Sequence, residues 1–159
     1  MKTYSPKASD IQRAWHLIDG QGQTLGRLAA RVAGILRGKD KAIFTPSLDT
    51  GDFVVVVNSS QIRVTGKKSQ DKLYYRHSGY PGGFKAFTWE QTMAKDPTRA
   101  LRLAVKGMLP KNSLGKAMLR KLKVYAGPDH PHQAQFKEKP QAKEKPQAKE
   151  KPQAKEQEK

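Results

Sequence analysis

The residues best placed to do chemistry lie in a glycine-rich turn, Gly20–Gly26 (GQGQTLG), between an apolar run and a helical pattern. A dinucleotide fingerprint sits at that point of a βα unit, where its glycines let backbone approach a pyrophosphate at a helix N-terminus. The spacing argues against it. The pattern needs glycine where Leu25 stands, and the acidic residue about 20 positions on is Asp40, in a helix-end loop and not at a strand tip. The stretch VTGKKS (64–69) likewise carries the Gly-Lys of a phosphate loop, but Gln61 replaces the first glycine and Lys68 stands where Ser or Thr would hold magnesium. Such a turn still offers a backbone N–H and two ammonium groups, Lys67 and Lys68, to a phosphate without a metal. His130 and His132 alternate in GPDHPH like metal ligands, yet no cysteine, third histidine or carboxylate cluster beyond Asp129 accompanies them. They read as solvated or as facing nucleic acid. Asp49 and Asp52 could pair as acid and base, but DTGD immediately before a strand reads as turn chemistry.

Two stretches exceed this background. In KLYYRHSGYPGGFK (72–85), Tyr74, Tyr75 and Tyr80 alternate with Arg76, His77 and Lys85 around PGG. Planar side chains can stack on splayed bases while cations hold phosphates, and glycines allow close backbone approach; a plain loop with its tyrosines in the core is the alternative. The second stretch runs from Pro97 to Pro128, with eight basic residues and no acid. A solvated helix face ordinarily mixes signs, because opposite charges four residues apart stabilise it. Here the compensating charge is expected from outside the protein.

The whole chain fits that expectation. It has 159 residues, 31 Lys and Arg against 14 Asp and Glu, a formal charge of +17, and no cysteine. Such a charge opposes compaction but attracts polyanions, so nucleic acid or an anionic membrane is the expected partner. The absence of a Trp/Phe-rich amphipathic basic helix favours nucleic acid. No apolar run is long enough for a bilayer and no secretory pattern opens the chain, so a soluble intracellular protein is expected. From Lys137 the text becomes KEKPQA in three identical copies with a ragged end, holding 8 Lys and 5 Glu. Three alanines are its only apolar side chains and a proline recurs every sixth residue, so 137–159 is expected to be a disordered tail. Residues 1–136 then form one domain with 23 basic and 9 acidic residues, +14.

The elements that must present these residues are legible as periodicity. AWHLID (14–19) and the β-branched FVVVV (53–57) read as strands, the second central and covered on both faces. Leu25, Leu28, Ala29, Val32 and Leu36 share one face of a helix stopped at Gly38, with Arg27 and Arg31 on another. IRV (62–64) suggests a further strand, and 65–87 a long exposed loop with a possible strand at KLYY. Helices are expected at 88–95, capped by Thr88, and at 97–109, with Leu101, Ala104, Val105 and Met108 inward. A third, at 113–122, follows a break at Pro110, and KVYA (123–126) closes the series as a strand. Strands separated by helices indicate an α/β layer structure.

In order, DGQGQTLGRLAARVAGILRGKDK, DTGDFVVVVN, VTGKK, YYRHSGYPGG and AVKGMLPKNSLGKAMLRKLKVYAGPDHPHQAQ resemble the bacterial type of large-subunit ribosomal protein L13, the uL13 family, over about residues 13–135. The resemblance implies an α/β fold: a three-layer α/β/α domain with a four-stranded, mainly parallel sheet and extended basic loops. It implies a cytoplasmic constituent of the large (50S) subunit that binds 23S-type rRNA early in assembly beside neighbouring large-subunit proteins, with no catalysis, cofactor, membrane or small-molecule substrate. By position it implies RNA contacts at Lys39, Lys41, Lys67 and Lys68, and at Arg76, His77, Ser78, Gly79, Tyr80, Pro81, Gly82 and Gly83. Lys106, Lys111, Lys116, Arg120, Lys121 and Lys123 complete the set, with Gly107 and Pro110 shaping the helix junction that presents them. Two other readings stay open on the residues alone: a nucleotide-dependent enzyme using the Gly20–Gly26 turn, and a DNA-binding helix-turn-helix over 98–108 and 113–121.

Overall fold

A computed structural model describes residues 4–136. The expected tail at 137–159 lies outside the described residues. Strand β1 (Trp15–Asp19) leads through the glycine turn into helix α1 (Leu25–Arg37), and β2 (Phe53–Val57) follows. Next come a one-turn helix α2 (Lys68–Asp71), strands β3 (Leu73–His77) and β4 (Phe84–Thr88), helices α3 (Trp89–Lys95), α4 (Pro97–Met108) and α5 (Ser113–Arg120), and strand β5 (Leu122–Val124).

The central sheet is parallel with order β1-β2-β5. β2 is its middle strand, as a continuous β-branched run requires. Val54 and Val56 are fully buried in one cluster with Ile18, Leu122, Val124 and the apolar faces of α1 and α4. Helix α1 buries Leu25, Leu28, Ala29, Val32 and Leu36, the expected stripe, and stops at Gly38, whose φ of 79° belongs to the left-handed region; its N–H donates to the Gly34 and Ile35 carbonyls. The opposite face of the sheet carries Trp15 stacked on its register partner Phe53, ring centroids 4.5 Å apart. His132 and Phe136 pack on Trp15 from the C-terminal segment. The Trp15 end of that face is thus covered by aromatic chain ending in a 3-10 turn (Gln133–Phe136), while Leu17 on the same face stays half exposed.

Four expectations need correction. The sheet has three strands and not four among the described residues. Asn58 turns into the left-handed region (φ 56°) and Ser59–Gln61 coil into a 3-10 turn. Ile62–Val64 therefore meets the β1–α1 turn, where Arg63 bridges Thr24, and not a strand edge. Residues 65–87 are not one long loop, and the possible strand at KLYY is present as β3. They form α2 and an antiparallel hairpin, β3 paired with β4 from Leu73↔Thr88 to His77↔Phe84. Alternation here serves two half-exposed faces, so a hydrophobic pattern keyed to a buried face misses β4. Met108 points outward, 46 % exposed, while Ala100 joins Leu101 and Val105 in the core. The last strand starts at Leu122, one residue early.

Candidate nucleic-acid interface

The acid-free run builds an elbow of two helices. Asp96 caps α4 by accepting from the Thr98 N–H, and Pro97 occupies the first turn, where its missing N–H costs nothing. The helix ends before Pro110. Asn112 then caps α5 by accepting from the Gly115 N–H at 2.8 Å. Gly115 lies so close to the Pro110 carbonyl that an added Cβ would sit 1.9 Å from its oxygen. Around Gly107 the same construction meets nothing, so the glycine that sets the junction is Gly115. Lys106, Lys111 and Lys116 surround a cleft of ≈ 180 Å³ floored by Leu109, Pro110 and Leu119. Arg120 is exposed beyond it and Lys123 is half-buried in β5.

Lys121 does not belong to this face. It is 6 % exposed, and its ammonium donates to Asp49 Oδ1 at 2.6 Å, the Gly51 carbonyl at 2.8 Å and the Leu36 carbonyl at 3.5 Å. Its three N–H groups thus have three acceptors, and the charge sits at the C-terminal end of α1, where the helix dipole favours a cation. Burial lowers its pKa, against the opposing pull of the Asp49 hydrogen bond and charge. Lys41 is likewise engaged, donating to Asp52 and to the Gln12 carbonyl. Asp52 also accepts from the Ala14 N–H and bonds His16 Nε2. Burial works to raise the Asp52 pKa; the Lys41, Ala14 and His16 hydrogen bonds outweigh it and hold the group below its ordinary value. Asp49 and Asp52 are therefore internal counterions and not merely turn residues.

The remaining expected contacts divide by geometry. Lys39, Lys67 and Lys68 are exposed, and Lys68 lines a shallow cleft with Thr24 and Gly26 at the start of α1. The segment Arg76–Gly83 is the hairpin end: Gly79 and Gly82 have positive φ (92° and 71°), and the Gly83 N–H donates to the Tyr80 carbonyl. His77 is tied locally, accepting at Nδ1 from the Gly79 N–H. Tyr80 is 75 % exposed, while Tyr75, also exposed, stacks on Phe84. Ser78 and Pro81 are exposed with them. Tyr74 alone turns inward, against Trp89.

The outward face of α4 also carries Arg102, exposed, and Arg99, half-exposed, which the expected contact set omits. Their signal was the acid-free run itself, which begins before both. The rejected motifs have structural uses. In the Gly20–Gly26 turn, Gly22, Gln23 and Leu25 donate their N–H groups to Gln61, Gly20 and Arg63 carbonyls. Donors that would cradle a pyrophosphate are consumed. His132 Nε2 bonds the Tyr125 hydroxyl at 2.9 Å, and His130 sits edge-on to Phe136.

Electrostatically, the interface is a set of cations with little internal opposition. Among the described residues only Lys41, Lys121 and His16 meet a carboxylate in an ion pair, and no arginine does.

Comparison with known proteins gives this surface its context. The family model for ribosomal protein L13 matches residues 13–131. The large ribosomal subunit protein uL13 of Roseiflexus sp. (strain RS-1) is 62% identical over 135 residues, 85% of this chain and 92% of that protein. Its counterpart in Symbiobacterium thermophilum is 61% identical over 137 residues, 86% of this chain and 96% of that protein. That of Thermobifida fusca is 62% identical over 135 residues. The match spans the sheet, the hairpin and the two-helix elbow together, and the chain belongs to the ribosomal protein L13 family, whose members are structural and not enzymatic.

Proposed function

We propose that the chain is a structural constituent of the large ribosomal subunit that binds 23S-type rRNA, takes its place early in subunit assembly in the cytoplasm, and touches neighbouring large-subunit proteins there. The observation that carries this reading is the unpaired arginine and lysine surface just described, carried by α4, α5 and the hairpin together with Arg27 and Arg31 of α1. Phosphates would supply the missing negative charge, and released counterions much of the free energy, about 0.7 to 0.9 log units of salt slope per phosphate contacted. The proposed mechanism is positioning: cations and backbone fix register on folded RNA, and shape more than base edges gives selectivity. The experiment is charge reversal of the exposed trio Lys111→Glu, Lys116→Glu and Arg120→Glu in the full chain. The variant should keep its circular dichroism spectrum and fail to co-sediment with 50S particles; normal incorporation would refute the reading. Competition between duplex DNA and rRNA at matched salt separates it from a helix-turn-helix DNA binder.

A further inference from the structure

Beneath the hairpin lies a second cleft, away from the α4–α5 elbow. It is bounded by β3, β4, α3 and the start of α4, encloses ≈ 200 Å³, and is lined by Tyr74, Arg76, Phe87, Gln91, Lys95 and Arg99, with Asp96 at its edge. Whole-ligand pockets run to roughly 300–1,000 Å³, so this space suits one planar ring system and not a dinucleotide. Tyr74 and Phe87 are direct cross-strand partners and form its aromatic wall. The Tyr74 ring is held between Trp89 and the Lys72 ammonium, which leaves Phe87 as the free aromatic surface. The Tyr74 hydroxyl is buried without a hydrogen-bond partner. With almost no accessible surface, that hydroxyl is closed off from the cleft, which Tyr74 lines with its ring.

Charge is arranged to match. Arg76 stands opposite Lys85 across the strands, a like-charge pairing that destabilises a hairpin unless something negative lies between. Lys95 and Arg99 approach from the helices, and none of these four cations pairs with a carboxylate among the described residues. Asp96 is occupied at the α4 cap, where it accepts from both the Thr98 N–H and hydroxyl.

We infer that this cleft is a binding site for a single unstacked nucleotide of an RNA loop or bulge. The base packs on Phe87, its polar edge accepts from the Gln91 side-chain NH2, whose oxygen is held by the Thr88 N–H, and the flanking phosphates lie among Arg76, Lys95 and Arg99. The assignment rests on the RNA-binding reading above and adds to it a point of single-strand recognition, since duplex RNA cannot present an everted base.

The test is an NMR titration of the isotope-labelled full chain with AMP, GMP, CMP and UMP, against ribose 5-phosphate and inorganic phosphate at the same salt. At least one nucleotide should shift the resonances of residues 74, 87, 91 and 99 saturably and bind about fivefold or more tighter than ribose 5-phosphate, since base stacking is its added contribution. Phe87→Leu should keep the hairpin spectrum and weaken that nucleotide about fivefold or more; a ring with only a structural role would leave the affinity unchanged. Equal responses to nucleotides and inorganic phosphate, shifts confined to the elbow, or no shifts would each overturn the assignment. If the charge-reversed elbow abolishes 50S co-sedimentation while the cleft ignores nucleotides, only this inference fails. If the native chain never travels with 50S particles, the broader reading fails whatever the titration gives.

Discussion

Replacing Asp49 by alanine should cost far more than the loss of one exposed acid, because it strands the Lys121 ammonium in the interior. At the observed separation of 2.6 Å, the attraction is about 6 kcal/mol at an effective dielectric near 20. Desolvation offsets much of that in the intact pair, but removing one partner leaves the desolvation cost standing, typically about 3–5 kcal/mol. With a urea slope of about 2 kcal/mol/M for a domain of this size, the midpoint of Asp49→Ala should fall by roughly 2 M. Lys121→Met in the same background should restore most of it. The pH dependence has a definite sign. Burial already lowers the Lys121 pKa, and losing Asp49 removes an opposing pull, lowering it further. The unfolded chain then binds more protons than the folded one between that lowered value and the ordinary lysine value of about 10.4, so the variant's stability rises with pH through that window. Denaturation at pH 7 and pH 9.5 should show the deficit narrowing. A cost below about 0.5 kcal/mol at pH 7, or a deficit that widens at pH 9.5, would refute the buried-pair reasoning. The same pair predicts a functional contrast: Lys121→Met should leave the salt slope of rRNA binding unchanged, whereas Lys116→Met should reduce it by about 0.7 to 0.9.

Asp52, held below its ordinary pKa, contributes stability that is present above the unfolded carboxylate value of about 3.9 and lost as pH falls through the folded one. Asp52→Asn should therefore flatten the acid limb of a thermal-melting profile below about pH 4, and an unchanged limb would count against the Lys41–Asp52–His16 cluster. At the elbow, Gly115→Ala should destabilise by about 1–3 kcal/mol through collision with the Pro110 carbonyl and weaken rRNA binding in a filter assay. Gly107→Ala, with open space around it, should stabilise by roughly 0.5–1 kcal/mol.

What the sequence disclosed followed physical periodicity. The α1 stripe, the central β2 and the capped α3 each have a single dominant signal: a buried face, a β-branched run, and a Thr88–Gln91 capping box that the structure closes reciprocally. The hairpin was obscured because both of its faces are partly wet, and β4 reads FKAFT without a clean alternation. Lys121 was misplaced for a different reason. It sits among seven other basic residues of one stretch, and nothing local distinguishes a buried lysine from an exposed one. Its partner Asp49 lies 72 positions away, beyond any local pattern. The cleft under the hairpin was hidden likewise, since its wall comes from β3 and β4 and its cations partly from α3 and α4. The family resemblance named the segments; only the packing decides which of their cations face outward.

The fate of the domain's few acids explains how so basic a chain remains folded. Asp10 and Asp19 accept backbone N–H groups at turns, Asp96 caps α4, and Asp49 and Asp52 neutralise two lysines from within. These carboxylates thus sit where hydrogen bonding or a helix terminus makes a negative charge stabilising, and little is spent on screening the surface. An exposed lysine paired to an exposed acid gains at most about 1 kcal/mol. The same lysine left unpaired can release a counterion when it meets a phosphate. A protein built to be stable alone would scatter Glu among the Arg and Lys of α4 and α5. In this one the run from Pro97 to Pro128 holds none, so the inner acids secure the fold and, in the function proposed above, the outer cations are left for RNA.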